Sequence, residues 1–459
     1  MPDSPLSAIV LAAGKGTRMG GPRPKVLHEV CGRPMLHFVL DAVDDLKPAC
    51  TVVVVGQDRV EIEKSLPAKF NVRFAEQAEP LGTGHAVAAA EAALGDFFGT
   101  LLVLYGDTPA LRVETLRDLV AACPKGGVAF LAGELDDPSS YGRIVRDAAG
   151  RFLGIKEERE ATASERGIRE ANLGAYAFDA KRLFAELREL LAAPRKNEKA
   201  EYYLTDVVGR FEKGGAEVAV RRTTDPEAWL GVNSARDLAR VRRVVQDRIL
   251  ARHLARGVRV VDPATTYIDW DVDIGEGTVV HPCTVIDRGV RIGPNCEVGP
   301  FAHLRSETVL RDGVEIGNFV EVKKSVVGAG AKAKHLTYLG DAEVGPAANV
   351  GAGTITANWD GRNKHKTTIE EGAFVGSGTV FVAPSTLGRG AKTGAGAIVT
   401  RGTRIPEGET WVGVPARPLR PKGGKGNAVA KEAAPPKGPG EEPRIETAAP
   451  GKTSDGARR

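Results

Sequence analysis

The chain has 459 residues and a formal charge of +4. Residues 421–459 hold eight Lys and Arg against five Asp and Glu, which leaves 55 basic and 54 acidic side chains elsewhere. This nearly neutral body gives no sign of the basic face by which proteins bind nucleic acid, so we expect no nucleic-acid partner. The sequence has no signal peptide and no bilayer-spanning apolar run, so we expect a cytoplasmic protein without a membrane partner. Five scattered cysteines without a Cys-x-x-Cys motif predict reduced core thiols.

Apolar runs alternate with helical stretches at the start of the chain, the runs at 7–13, 51–56 and 100–105 and the helices at 35–45 and 86–94. This alternation predicts a parallel α/β sheet that binds ligands at the carboxyl ends of its strands. Gly14 and Asp107 fall at such ends. We assign residues 1–232 to this domain.

Residues 233–256 are predicted to form a connecting helix. Ser234 occupies an N-cap position, Asp237 follows three residues later, and Gly257 is placed to end the helix. About 22 residues at 1.5 Å each give a length of roughly 33 Å, enough to hold two active sites apart.

An aliphatic residue, here called an anchor, recurs at every sixth position, at Ile268, Ile274, Val280, Ile286, Ile292, Val298, Leu304, Leu310, Ile316 and Val322. After interruptions the period returns at Val344, Val350, Ile369, Val375, Phe381 and Leu387. The period fits a triangular parallel β-helix in which three such repeats make one coil. We therefore expect a β-helix over residues 257–420. Residues 421–459, rich in Pro, Gly, Ala and Lys, predict a disordered tail.

A glycine-rich turn follows the first predicted strand at Gly14-Lys15-Gly16-Thr17-Arg18. Its backbone N–H groups could bind a phosphate chain, but such a turn is as often a structural corner, and it matches neither the P-loop nor the dinucleotide-binding pattern. Further motif segments follow in order, at 24–27, 77–84, 105–107, 201–206 and 231–233.

Together these segments resemble the sugar nucleotidyltransferases. The specific match is to the bacterial bifunctional N-acetylglucosamine-1-phosphate uridylyltransferase / glucosamine-1-phosphate acetyltransferases, over residues 7–415. The resemblance implies a Rossmann-like nucleotidyltransferase domain, a helical arm and a left-handed parallel β-helix of hexapeptide repeats.

The resemblance also implies the site residues of the first domain. It makes Asp107 and Asn233 ligands of Mg²⁺, an ion that takes hard oxygen donors. It implies that Arg18 and Lys25 contact phosphate. The implied uracil contacts are Gln77, Gly82 and Thr83, and the implied sugar contacts are Gly142, Glu157 and Asn172. The remaining implied nucleotide and sugar contacts are Leu11, Ala12, Ala13, Gly14, Tyr105 and Gly106. Asp107 could instead only end a strand, and Asn233 only precede a helix cap. Leu173 departs from the family, which usually has Thr there.

The β-helix carries a second constellation. Arg305 and Lys323 lie one full coil apart in the repeat, so they should stack on the same face. A phosphate over them would relieve their repulsion, and a chance pair of surface charges is the alternative. The resemblance makes His335 the catalytic base, although a lone histidine is more often structural. A histidine that titrates near neutrality can take the proton of an attacking amine.

By the same resemblance, glucosamine 1-phosphate is held by Arg305, Lys323, Tyr338, Asn349 and Lys364. The implied acetyl-CoA side is Ala352, Asn358, Trp359, Ser377 and Ala395. The polar stretch 357–366 should project as a loop that, in the family, reaches a neighbouring subunit of a trimer; from the residues alone it is equally a bare insertion. Trp359 replaces the usual Tyr, Gly413 replaces an Arg near the coenzyme, and about two coils of the hexapeptide repeat are missing before residue 301.

The leading hypothesis is thus a homotrimeric enzyme of UDP-N-acetylglucosamine synthesis, on the route to peptidoglycan and lipopolysaccharide. It would use glucosamine 1-phosphate, acetyl-CoA and UTP. The alternative keeps only uridylyl transfer and makes the β-helix a trimerisation or regulatory module. A third reading is a sugar-nucleotide sensor without catalysis.

Overall fold

The computed structural model describes residues 4–14, 16, 19–194, 201–225, 227 and 230–419. The predicted disordered tail therefore lies outside the described residues. Within them, no helix combines the length and the apolarity needed to cross a bilayer. All five cysteines are free, as expected, but only Cys31 and Cys296 are buried, so the prediction of core thiols is wrong for the other three.

The first half of the chain is built on a mixed sheet in the strand order β11-β7-β10-β6-β1-β4-β5, with β8 and β9 attached beside β10. Its strands are β1 Leu6–Leu11, β2 Glu29–Val30, β3 Arg33–Pro34, β4 Thr51–Val55, β5 Arg73–Glu76, β6 Thr100–Tyr105, β7 Val128–Glu134, β8 Gly142–Arg146, β9 Phe152–Lys156, β10 Glu170–Asp179 and β11 Val218–Arg222, of which β2 and β3 form a separate hairpin. Its helices are α1 Met35–Asp44, α2 Arg59–Ser65, α3 Thr83–Ala89, α4 Glu91–Leu94, α5 Val113–Ala121, α6 Ala163–Arg166, α7 Ala180–Ala192 and α8 Leu204–Lys213, with a 3-10 turn at Lys25–Leu27.

The prediction of a parallel sheet is only partly right. Strand β1 pairs in parallel with β4 and β6, and β4 with β5. Strand β10, however, runs antiparallel to both β6 and β7. The chain reaches β10 through the β8–β9 hairpin, and short connections reverse direction, whereas parallel pairing requires a crossover.

The connecting helix, α9, spans Ala235–Ala255. Ser234 is its N-cap as predicted, with the side-chain oxygen accepting from the backbone N–H of Asp237. The helix is packed rather than free-standing. Its buried apolar residues, Val241, Val245, Ile249 and Leu250, share one apolar cluster with Val30, Met35 and the β-helix core.

A contact between Arg33 and Trp270 joins the hairpin β2–β3 to the first coil of the β-helix. The Arg33 guanidinium lies 3.8 Å from the centroid of the Trp270 ring, and Phe38 meets that ring edge-on. The backbone N–H of Trp270 donates to the carbonyl of Cys31 at 3.1 Å. The Arg33 side chain is only 4% exposed. The two domains are therefore joined by a packed interface as well as by α9.

The β-helix has three sheets of short parallel strands. The first prism sheet holds Arg259–Val260, Val279–Val280, Glu297–Val298, Glu315–Asn318, Lys332–His335, Asn349–Val350, Phe374–Val375, Lys392–Thr393 and Thr410–Val412, closed by antiparallel Arg417–Pro418. The second holds Tyr267–Ile268, Val285–Ile286, His303–Leu304, Glu321–Lys323, Tyr338–Gly340, Ile355–Ala357, Val380–Val382 and Ile398–Val399. The third holds Asp273–Ile274, Arg291–Ile292, Val309–Leu310, Val326–Val327, Ala342–Val344, Thr367–Ile369, Ser385–Leu387 and Arg404–Ile405.

Every predicted anchor points into the prism, and none is more than 4% exposed. The predicted interruption of the anchors between Val322 and Val344 is not an interruption of the core, which continues through Val327, Ala333 and Leu339. Leu304 pairs with Val322 after a full coil of the repeat, whereas the coil that brings Leu310 to Val327 is shorter. A corner between the second and third prism sheets is one residue shorter than the others. The anchors that follow it therefore fall out of step with the six-residue period.

Candidate functional site

A cavity of 410 Å³ opens where strands β1, β5 and β6 end. It is lined by Leu11, Ala13, Gly14, Lys25, Val26, Gln77, Pro80, Gly82, Thr83, Ala86, Tyr105, Asp107, Glu157, Glu201 and Tyr203. We call it the nucleotide cavity. Its position at the carboxyl ends of parallel strands is where α/β sheets bind ligands.

Three segments distant in sequence meet at the edge of this cavity. The Lys25 ammonium donates to the carboxylate of Asp107 and, at 2.7 Å, to the amide oxygen of Asn233. The backbone fixes both acceptors, because Val232 N–H donates to the Asp107 carbonyl and Asn233 N–H to the Asp237 carboxylate. Two hard oxygens thus converge on one cation. This donor pair fits Mg²⁺, which is usually held by one or two protein oxygens together with water and phosphate.

The strand-to-helix turn beside the cavity is tightly packed. Gly82 has φ +104, and a Cβ there would lie 2.5 Å from the carbonyl oxygen of Tyr202. The amide of Gln77 donates to the Gly82 carbonyl at 2.9 Å. The hydroxyl of Thr83 accepts from the backbone N–H of Leu204 at 2.9 Å. The motif segment at 201–206 therefore closes over the segment at 77–84.

A second cavity of 220 Å³, the sugar cavity, adjoins the first and shares Tyr105, Asp107 and Glu157 with it. Its other lining residues are Thr108, Ser140, Tyr141, Gly142, Asn172, Leu173, Gly174, Gly231 and Asn233. Thr205 donates to Glu157 at 2.7 Å, and burial raises the pKa of that carboxyl. The departure at Leu173 lies in the wall of this cavity.

Most of the expected first-domain residues line the two cavities. Ala12 and Gly106 do not: Ala12 is buried, and Gly106 donates its N–H to the Leu11 carbonyl below the cavity. Arg18 lies outside the described residues. Sequence reasoning missed Tyr141 and Thr108, which adjoin the motif residues Gly142 and Asp107. It also missed Thr205, which lies inside a quoted motif segment.

On the β-helix, Arg305, Lys323 and Lys364 form a cation cluster. Arg305 stacks one coil from Lys323, as their spacing predicts. Arg305 and then Lys364 lower the pKa of Lys323 by charge repulsion. The chain itself supplies one negative charge to this cluster, because Arg305 donates to the carboxylate of Glu321 at 2.8 Å. Glu321 was not expected.

His335 and three of the expected acetyl-CoA residues, Ala352, Ser377 and Ala395, form one column along a corner of the prism. Nδ1 of His335 lies 3.0 Å from Oδ1 of Asn318, in the coil before it. The backbone then steps from His335 to Ala352, Ser377 and Ala395, through N–H groups of Gly353, Gly378 and Gly396 that donate to the preceding coil. An Nδ1–H donated to Asn318 leaves the Nε2 lone pair to accept a proton. The sequence did not lead us to expect Asn318 at this site.

Two further residues, Asn358 from the expected acetyl-CoA set and Asn349 from the expected sugar-phosphate set, lie apart from this column. Asn358 is 8% exposed and donates to the Asp341 carboxylate. Asn349 pairs with Lys332 and Phe374 in the first prism sheet, whereas Lys323 and Tyr338 belong to the second. Asn349 therefore lies on another face of the prism from Lys323 and Tyr338.

The stretch 357–366 is a tight hairpin. Trp359 and Lys364 pair across it as an antiparallel bridge. Asp360 accepts backbone N–H groups at the turn and also accepts from His365, at 2.6 Å, and Arg401. These contacts hold the pKa of Asp360 well below its usual range, chiefly through the backbone bond from Asn363. Trp359 at the hairpin is 57% exposed.

Known proteins match this chain over most of its length. Residues 8–200 match the family model of the MobA-like NTP transferase domain. Over 430 residues the chain is 42% identical to the Bifunctional protein GlmU of Heliobacterium modesticaldum, covering 86% of this chain and 93% of that protein. The protein of the same name from Pelobacter propionicus is 43% identical over 432 residues, and that from Streptococcus mutans 43% over 427.

Proposed function

Because the chain belongs to the bifunctional GlmU family, we propose that it makes UDP-N-acetylglucosamine in two steps. The β-helix transfers the acetyl group of acetyl-CoA to the amine of glucosamine 1-phosphate. The α/β domain then transfers the uridylyl group of UTP to the acetylated sugar phosphate and releases pyrophosphate. The observation that carries the proposal is the convergence of Lys25, Asp107 and Asn233 where the nucleotide and sugar cavities adjoin.

In uridylyl transfer, two anionic phosphate groups must approach each other. Lys25 is the cation that this chain supplies at the meeting point, and its partners Asp107 and Asn233 would hold Mg²⁺. Bound there, the ion would neutralise phosphate charge. Thr83 and Gln77 bind the base, while Glu157 and Asn172 bind the sugar. The hydroxyl of Thr205 donates to the carboxyl of Glu157 and so holds it at the sugar cavity.

In acetyl transfer, His335 takes the proton of the sugar amine as nitrogen attacks the thioester carbonyl and coenzyme A leaves. Asn318 fixes the imidazole tautomer. The cation cluster binds the sugar phosphate and keeps the amine within reach of His335. The column from Ala352 to Ala395 receives the coenzyme.

We further propose that this second site is shared between subunits of a homotrimer. The rings of Phe301 and Phe319 stack at 5.2 Å on an outer corner of the β-helix, 51% and 55% exposed. Such an exposed apolar ladder supports assembly with further copies of the chain. The separate face of Asn349 and the exposed Trp359 of the hairpin support completion of the site by a neighbour. The cytoplasm, where both co-substrates are made, is the proposed location.

Two assays on the full chain test the proposal. Coenzyme A release with glucosamine 1-phosphate and acetyl-CoA reports the first step. Pyrophosphate release with UTP, Mg²⁺ and N-acetylglucosamine 1-phosphate reports the second. Both signals are expected. Pyrophosphate release alone would support the reading in which the β-helix is a trimerisation or regulatory module, and UTP binding without pyrophosphate would support a sensor.

A further inference from the structure

The connecting helix α9 contacts both segments that carry the proposed Mg²⁺ ligands. At its start, the carboxylate of Asp237 accepts the backbone N–H of Asn233 at 2.9 Å. Three turns further on, Nη1 of Arg248 donates to the backbone carbonyl of Ala110 at 2.7 Å. Ala110 lies three residues after Asp107. The helix therefore reaches the segment of Asn233 and the segment of Asp107 at two separate points.

These two contacts come from one face of α9. Asp237 and Arg248 are eleven positions apart, which in an α-helix is three turns and only about 20° of rotation. Along the helix axis this spacing is about 16 Å. Val241 lies between them on the same face and is 1% exposed. One packed helix thus sets the separation of both contacts.

The guanidinium of Arg248 also holds the chain that leads to Asn233. Nη2 and Nε of Arg248 donate to Oε2 of Glu227 at 2.6 and 3.1 Å. Glu227 precedes Asn233 by six residues. Arg112, which follows Ala110 in the segment of Asp107, donates to the same carboxylate oxygen at 3.1 Å. Charge-assisted hydrogen bonds, which are stronger than neutral ones, therefore tie the two ligand segments to each other and to α9.

The bond from Arg248 to Ala110 controls the turn that carries Asp107. Ala110 is 1% exposed, so its carbonyl sits in a buried position. A buried polar group that loses its donor costs free energy, and the turn is expected to move when Arg248 is removed. The carbonyl of Asp107 itself accepts from Val232 N–H at 3.0 Å, next to Asn233. A shift of the turn therefore changes how Asp107 and Asn233 face each other.

We propose that Arg248 is a positioning residue for uridylyl transfer, which holds the segment of Asp107 so that Asp107 and Asn233 bind one Mg²⁺ together. The inference rests on the proposed uridylyl transfer and goes beyond it, because it makes α9 a part of the site and not only a spacer between two domains. Groups that orient metal ligands typically contribute about 10–100-fold in metal affinity or activity. Loss of Arg248 should therefore weaken metal binding by a factor in this range.

The test compares the full chain with its Arg248→Met variant, which keeps an aliphatic stem for packing and removes the donors. The first measurement is the Mg²⁺ concentration that gives half-maximal pyrophosphate release. The second is the Kd of Mn²⁺ in the presence of UTP alone, followed by water proton relaxation without turnover. Both should rise about tenfold or more in the variant. At saturating Mg²⁺, kcat should change less than about threefold, because the reacting groups are intact.

Arg243→Met is the matched control. Arg243 lies on the same helix and likewise donates to a carboxylate and to a backbone carbonyl, those of Asp247 at 3.3 Å and Ala264 at 3.2 Å. Ala264, however, belongs to the β-helix and not to a ligand segment. This variant should keep the wild-type dependence on both metals, and coenzyme A release should be unchanged in both variants.

Three results would overturn the proposal or contradict its premise. Wild-type Mn²⁺ binding in a folded Arg248→Met variant overturns it, and so does a fall in kcat with both metal dependences unchanged, since that is the effect of a loosened fold. If Arg248→Met does not fold, Arg248→Lys and Arg243→Lys decide, because an ammonium cannot reproduce the planar fork of a guanidinium. A raised Kd in Arg248→Lys alone supports the proposal, and wild-type Kd values in both overturn it. A wild type that binds Mn²⁺ and UTP but releases no pyrophosphate would instead contradict the proposed function.

Discussion

The two sites of this chain are built in opposite ways. In the α/β domain, Lys25, Asp107 and Asn233 arrive from three distant segments and already contact each other inside a cavity. On the β-helix, His335, Ser377 and Ala395 are exposed along one corner, and Asn349 lies on another face. The first set of residues is gathered around cavities of one chain, whereas the second is spread along the surface of a regular β-helix. A sheet with crossovers forms a crevice at the carboxyl ends of its strands, whereas a solenoid presents an extended surface.

Asp107→Asn should have the largest effect. The variant removes the negative charge that faces Lys25 and would hold Mg²⁺, so pyrophosphate release should fall at least about a hundredfold. Coenzyme A release should be unchanged, because the β-helix is untouched. Asp96→Asn, at an exposed position, is the control and should keep both activities. Equal loss of both activities in Asp107→Asn would mean that the two sites are not independent.

His335→Ala tests the exposed site in the same way. Coenzyme A release should fall by about 10²–10⁴, the usual contribution of a positioned base, with pyrophosphate release unchanged. Asn318→Ala should cause a smaller fall because it frees the imidazole without removing it. His281→Ala, another surface histidine of the β-helix that bonds to Glu297, is the control. Full acetyl transfer by His335→Ala would refute the base assignment.

The regular core of the rod gives a third comparison. Phe381 is 0% exposed, whereas Phe374 is 47% exposed. Phe381→Ala should lower the free energy of unfolding by about 3–5 kcal/mol, the usual effect of emptying a core aromatic site. Phe374→Ala should change it by about 0.5 kcal/mol or less. Chemical denaturation followed by both assays should show acetyl transfer failing first in Phe381→Ala, and simultaneous loss would show that the domains unfold together.

The smallest expected effect lies at the joint between the domains. Burial raises the pKa of Asp269 from 3.8 to about 6, with Asp287 and Asp271 adding to the shift. A raised folded-state pKa favours the protonated form, so its stabilising contribution is present below about pH 4 and lost as the pH rises through about 6. Asp269→Asn should therefore raise Tm at pH 8 by a few degrees and leave Tm at pH 4 nearly unchanged. A pH-independent difference in melting scans would contradict this assignment.

The same contrast explains what the sequence could reveal. The anchors of the β-helix were predictable because burial there follows one period along the chain. Val327, Ala333 and Leu339 were not predicted as core residues because a shortened corner shifts that period. The contact of Asn318 with His335 was not predicted for the same reason, since a shortened coil separates the two residues. The antiparallel course of strand β10 was not predicted for another reason. Its position depends on pairing between distant strands, which leaves no local pattern.

The contact of Arg33 with Trp270, together with the apolar face of α9, bears on how the chain could be divided. Val241, Val245 and Ile249 belong to one apolar body that also contains Val30, Met35 and the core of the prism. A protease or gene fission that cut after residue 257 would leave water-exposed apolar surface on both fragments. Stable halves would need new polar surface there, so natural loss of one activity is easier by point mutation than by deletion of a domain.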